Sequence, residues 1–198
     1  MFVRLVTFTD AKDIDGGLEF LRDTVAPLLR QQKGWSGTTA SADRAIGVLS
    51  VLSQWETEAD MQASESAMTK VRAEGLAIVG GEVTVGFYDQ VVFDLVKPPQ
   101  VGARLLVRPI SMDPAKVDEN TEFFKREILP QIKSADGCLG VRNLIDRTTG
   151  EGAVGSLWET DAALEAAAQA AEARMPIGEQ RGITFGPLSK REIVFADL

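Results

Sequence analysis

Trp55-Glu56-Thr57 returns 103 residues later as Trp158-Glu159-Thr160, and the reading of the fold turns on that recurrence. At the same offset Gly34 and Gly37 fall on Gly137 and Gly140, Pro27 on Pro130, and Asp43-Arg44 on Asp146-Arg147. Glu19-Phe20 falls on Glu122-Phe123, and Asp94-Leu95 on Asp197-Leu198. Of 95 positions aligned without a gap, 22 are identical. Self-similarity at a fixed period is the mark of a repeated structural unit. Pro98-Pro99-Gln100-Val101-Gly102 separates the copies and reads as a short, stiff linker. The expected organisation is a first repeat over 1–97, a linker over 98–102 and a second repeat over 103–198.

Each copy reads alike. Phe2 to Thr9 is apolar and β-branched, which predicts a strand. Asp13 and Asp15 can cap the helix that follows, where Leu18, Leu21, Val25, Leu28 and Leu29 recur at helical spacing. Gly34 ends that helix. Strands are expected near Trp35 to Ala42 and Val48 to Trp55, joined by a turn over Asp43 to Gly47, then a helix over Glu58 to Ala73. Gly80-Gly81 breaks the chain before a last strand over Glu82 to Leu95. In the second copy a strand near Leu105 to Ile110 precedes a helix over Pro114 to Lys133. A hairpin turns at Asp146 to Gly152, and its second strand runs to Trp158. An alanine-rich helix over Asp161 to Arg174 is then expected to stop at Pro176 and Gly178, before a strand finishing near Phe195. The order β-α-β-β-α-β is that of the ferredoxin-like split βαβ unit. Such a unit carries helices on one sheet face only. The expectation is therefore an α+β protein whose two tandem ferredoxin-like repeats pack sheet to sheet.

Composition narrows the function. The chain is acidic, with a net charge of -8, which disfavours nucleic acid and a polybasic membrane contact. No apolar run approaches a membrane span, and the N-terminus does not read as a signal peptide, so a cytoplasmic location is expected by default. Histidine is absent. That excludes a Ser-His-Asp triad and the histidine ligands of common zinc and haem sites. The single cysteine, Cys138, cannot form an internal disulfide and lacks a histidine to activate it.

A unit of this size, with a Trp-Glu-Thr strand end leading into an acidic and alanine-rich helix, resembles the antibiotic-biosynthesis-monooxygenase domain of the dimeric α/β-barrel superfamily. The resemblance covers nearly the whole chain, twice, and the family tryptophan matches at Trp55 and Trp158. It implies a single-chain counterpart of the dimeric barrel. For activity it implies cofactor-independent oxygenation of aromatic polyketides or quinols, or else haem degradation. Where many relatives carry a histidine in the second helix, this chain has Glu65 and Ala168. Where haem-degrading members use an asparagine in the first strand, it has Thr7 or Phe8, and Ile110 or Ser111. Both departures speak against haem degradation.

Arg4 and Arg108 each interrupt an apolar first strand and are the candidate catalytic residues. A cation facing an enclosed space can hold a phenolate or a developing peroxide. The plainer reading is a snorkelling arginine, or one paired with Glu56 or Glu159. Trp55, Trp158 and Tyr88, the only tyrosine, are candidate substrate-binding residues, against the plainer reading of core aromatics. Glu56 and Glu159 can serve as bases if buried, and otherwise sit exposed at a helix start.

Two functions follow. One is a cofactor-independent monooxygenase of a small aromatic molecule, a quinol or a polyketide, with neither metal nor cofactor. The alternative is a small-molecule binder or structural relative without catalysis. In either case the chain is expected to act as a monomeric pseudo-dimer, with further assembly through strand edges open.

Overall fold

The computed structural model describes all residues 1–198. The chain is α+β, with antiparallel sheets and helices that alternate along the sequence. It divides into two compact units. Unit 1 comprises Met1–Phe87, Gln100–Gly102 and Glu192–Leu198, and unit 2 comprises Tyr88–Pro99 and Ala103–Arg191.

In unit 1, β1 (Phe2–Thr9) leads to α1 (Ile14–Phe20), a π-helical turn (Leu21–Val25) and α2 (Ala26–Arg30). Asp13 caps α1 by accepting from the Gly16 amide at 2.8 Å. Asp15, also read as a cap, instead pairs with Arg44. The π turn has a covalent cause. Pro27 has no amide to donate, and its ring would strike the carbonyl four residues back. The helix widens instead, and Ala26 donates five residues back to the Leu21 carbonyl.

The chain then forms β2 (Trp35–Asp43), β3 (Val48–Trp55), α3 (Glu58–Ala63), α4 (Glu65–Val79) and β4 (Glu82–Leu95). In unit 1 β1 pairs antiparallel with β3, and β3 with β2. The far edge of β2 is completed by β9 (Ser189–Asp197), in register from Thr38 opposite Asp197 to Ala42 opposite Glu192. Phe8, Leu21, Ala40, Leu49 and Val79 form the core between this sheet and its helices.

The helix expected over Glu58 to Ala73 is two helices, and the second runs on to Val79. The break at Ser64 is produced by Arg4. Its guanidinium takes the Met61 carbonyl at 2.6 Å, and the Ser64 hydroxyl donates to that same carbonyl at 2.7 Å. A continuous helix would need this carbonyl for the amide of residue 65.

In unit 2 the strands are residues 88–95 of β4, β5 (Arg104–Ser111), β6 (Cys138–Ile145), β7 (Glu151–Trp158) and the short β8 (Thr184–Phe185). β4 pairs with β6, β6 with β7, β7 with β5, and β5 with β8. The helices are α5 (Val117–Phe123), α6 (Leu129–Lys133) and α7 (Asp161–Glu179). A 3-10 turn (Pro114–Lys116) leads into α5. A second π turn (Phe124–Ile128) precedes Pro130 for the reason given at Pro27. α7 passes through Pro176 and Gly178, which were expected to end it. Pro176 sits in the last turn, where its fixed φ fits a helix and one bond is lost. At Gly178 a Cβ would lie 2.4 Å from the Phe185 ring, so glycine lets the helix cross β8 closely.

The recurring motif has a mechanical reading. Trp55 and Trp158 end their strands inside the core, each indole donating to a serine two residues back, Ser53 at 3.0 Å and Ser156 at 2.9 Å. Thr57 and Thr160 then cap the next helices, accepting from the amides of Asp60 and Ala163. Gly34 and Gly137 take left-handed φ values of 72° and 78°, which glycine adopts without strain. Their carbonyls accept from the amides of Glu56 and Glu159. No helix is long and apolar enough to cross a membrane.

Candidate functional site

Each unit holds a cavity between its sheet and its helices. The one in unit 1 has a volume of about 70 Å³, and the one in unit 2 about 140 Å³. Strand register identifies corresponding walls. In unit 1, Val6 and Ala40 lie on either side of Val51 across three neighbouring strands. In unit 2 the same row reads Arg108, Val154 and Asn143. The next row reads Arg4, Ser53 and Thr38 in unit 1, and Leu106, Ser156 and Val141 in unit 2. The two arginines singled out in the sequence therefore occupy different rows. Two strand spacings place Arg108 and Asn143 roughly 10 Å apart on one cavity wall.

Arg4 is 2% exposed and fully engaged. It donates to the Met61 carbonyl and to the Ser64 hydroxyl at 2.7 Å, and stacks over Trp55 at 5.2 Å. Its Nε lies 3.0 Å from a Glu65 carboxylate oxygen, as an ion contact without hydrogen-bond alignment. Glu65 also pairs with Arg72. Burial pulls the Arg4 pKa below its ordinary value; Glu65 opposes that shift and Arg72 adds to it. The partner is thus Glu65, at the family histidine position, and not Glu56. A strand cation finds its carboxylate across the helix layer, where α4 starts.

Arg108 is 7% exposed and is held by Glu172 of α7, not by Glu159. It also reaches the Met175 sulfur at 2.6 Å and lies 5.9 Å from the Phe185 ring centre. Its Nε is buried without a hydrogen-bond partner. Asn143 is 6% exposed, lines the same cavity, and its side-chain oxygen likewise has no partner. Ser156 and Trp158 form the wall behind them. Arg174 of α7 lines the cavity too, half-buried, with its pKa lowered by burial. No Asp or Glu is among the lining residues. Ile110, Val117, Phe124, Ile128, Ile145 and Ile183 make most of the surface apolar.

The structure brings Arg108 and Trp158 together in one cavity and leaves the other three sequence candidates outside it. Arg4 lines the unit 1 cavity, and Trp55 is a 0% exposed core residue beneath Arg4. Tyr88 sits toward the β6–β7 hairpin, its pKa raised by burial and by Glu151 and Asp146. Glu56 and Glu159 are exposed. Cys138 is buried, and burial raises its thiol pKa. Sequence reasoning missed Asn143 and Arg174. Setting the copies side by side carries the signal, because Asn143 stands where the first copy has Ala40, and Arg174 where it has Val71. A small or apolar residue exchanged for a polar one at a core position is informative.

No protein-family model matches the chain. The uncharacterized protein Rv2557 of Mycobacterium tuberculosis is 29% identical over 152 residues, covering 77% of this chain and 68% of that protein. Among solved structures, a candidate monooxygenase of Fusobacterium nucleatum is similar over 99% of this chain and 93% of its own, with a TM-score of 0.72 and 12% identity. An anthrone oxidase-like protein follows, at a TM-score of 0.66 and 12% identity, covering 98% of this chain and 92% of its own. A Listeria monocytogenes ferredoxin-fold protein related to antibiotic biosynthesis monooxygenases has a TM-score of 0.53 and 11% identity, over 98% of this chain and 95% of its own. At such identities the likeness shows the fold, which is the α+β ferredoxin-type fold of these monooxygenase-like proteins.

Proposed function

We propose that the protein is a cofactor-independent monooxygenase of a small aromatic molecule, an anthrone or a quinol, and that the unit 2 cavity is its site. The observation that carries this reading is the pairing of an apolar cavity with two buried, unpartnered polar atoms on one wall, Arg108 Nε and Asn143 Oδ1. An apolar cavity of about 150 Å³ accepts a benzene-sized guest, and 140 Å³ is of that size. The fold likeness to an anthrone oxidase-like protein agrees with it.

On this reading the aromatic ring lies against Trp158. Arg108 favours the phenolate form of a bound phenol, since a nearby cation lowers an acid's pKa. The phenolate is the reductant. One oxygen atom bonds to the ring carbon, and the other leaves as water with the two hydrogens of that carbon, so CH2 plus O2 gives C=O plus H2O. The protein contributes desolvation, positioning and one cation. The same reading takes the chain as two tandem ferredoxin-like repeats, the single-chain counterpart of a dimeric barrel, active as a monomer.

The test is oxygen uptake across a panel of anthrones and hydroquinones, without added metal or flavin. Uptake that falls more than tenfold in Arg108→Ala and in Asn143→Leu is expected. No uptake across the panel removes the oxygenase. The second reading, a binder without catalysis, is favoured by one observation: no carboxylate lines the cavity to take a proton.

A further inference from the structure

Every guanidinium that lines either cavity has a carboxylate, with one exception. Arg4 and Arg72 share Glu65, Arg108 has Glu172, and Arg181 has Glu119. Arg174 makes no ion pair and no hydrogen bond, in a chain with 29 acidic residues against 21 basic ones. It is half-buried. It also lines the groove between α6 and α7, alongside Ala163, Ala166 and Ala170, which places it at the rim where the cavity meets the surface. A half-buried cation without a counterion is destabilising unless something else neutralises it.

The second observation lies deeper. Asn143 is nine-tenths buried, faces the same cavity and has an unsatisfied amide oxygen. A buried polar atom without a partner costs free energy that a bound group can recover. Because a side-chain amide can be turned over, either a hydroxyl or a carbonyl satisfies this position. Between rim and floor the wall is apolar and aromatic, with Phe123, Phe124 and Phe185.

We infer that the unit 2 cavity selects an aromatic carboxylate: the ring fills the apolar space, the carboxylate pairs with Arg174 at the rim, and a ring hydroxyl or carbonyl meets Asn143. This rests on the cavity being the binding site proposed above, and it names the class of molecule bound. Unit 1 lacks the device, because Val71 and Ala40 stand at the corresponding positions and its arginines are already engaged.

Calorimetric titration of the full chain with 3-hydroxy-2-naphthoic acid and with neutral 2-naphthol tests it. The acid is expected to bind at least tenfold more tightly than the naphthol. In Arg174→Met that preference collapses to within twofold while naphthol binding is unchanged, and Arg174→Lys keeps part of it. The unliganded Arg174→Met protein should melt no lower than the parent, whereas a merely structural arginine would lower Tm. Equal affinities in the parent, a preference that survives Arg174→Met, or no binding of either compound overturns the inference. The two proposals fail separately. Arg174-dependent binding without oxygen uptake leaves the carboxylate site and removes the oxygenase. Neutral quinols consumed equally by parent and Arg174→Met leave the oxygenase and remove the carboxylate site.

Discussion

One carboxylate, Glu65, serves two guanidiniums in unit 1, and the consequences of removing each partner differ. Glu65→Gln leaves Arg4, 2% exposed, without its counter-charge. Arg4→Met removes the cation and fills similar volume, leaving Glu65 paired with Arg72. Breaking a buried pair from one side costs more than replacing its buried charge by an apolar group. Glu65→Gln should therefore destabilise by roughly 1–3 kcal/mol and exceed the cost of Arg4→Met, in urea denaturation of the two variants. That Arg4 would interrupt its strand was legible in the sequence. Its partner was not, because a strand register says nothing about which helix residue lies above it. The same limit hid Arg174, which reads along the chain as an ordinary charge near a helix end.

The elements were more legible than their ends, for reasons that can be located. The threonine of each Trp-Glu-Thr stands at the start of its helix, and the structure makes it the cap. Thr57→Ala and Thr160→Ala should each cost about 1 kcal/mol, with serine restoring most of it, as read from thermal unfolding. Acid sensitivity belongs to the same helix starts. The Thr57 hydroxyl and Lys33 hold the Asp60 carboxyl below its ordinary pKa, and Arg104 does so for Asp161. Both are depressed relative to an unfolded value of about 3.9. Their stabilisation is thus complete above that value and is lost as pH falls through the folded pKa. Tm should be flat between about pH 7 and 5, and should fall below about pH 4, with Asp161→Asn weakening that acid limb. The break at Ser64 was not legible, because it depends on a guanidinium from 60 residues earlier in the chain. The run through Pro176 escaped for the opposite reason: proline and glycine are local stop signals, and packing of Gly178 on Phe185 overrides them.

At the scale of the molecule, the period of 103 residues gave the class of fold and the order of elements before any contact was known. What it could not give is how the compact units divide the chain. Unit 1 includes Glu192–Leu198, and unit 2 includes Tyr88–Pro99. A fragment of residues 1–97 thus lacks the segment that covers β2 from Thr38 to Ala42. An exposed strand edge pairs with whatever strand it meets. The fragment should dimerise or aggregate in size-exclusion chromatography with light scattering, whereas the full chain should run as a monomer of 21.4 kDa. A folded, monomeric fragment would remove the tandem reading.

The pairing of β2 with β9 also sets an order of events during synthesis. Thr38 leaves the ribosome long before its partner Asp197 exists. At roughly 5–20 residues per second, the hundred residues after the first repeat take on the order of 5–20 s to make. Through that interval the nascent first unit has no strand to close its edge, and a chaperone that shields β-strands finds its substrate there.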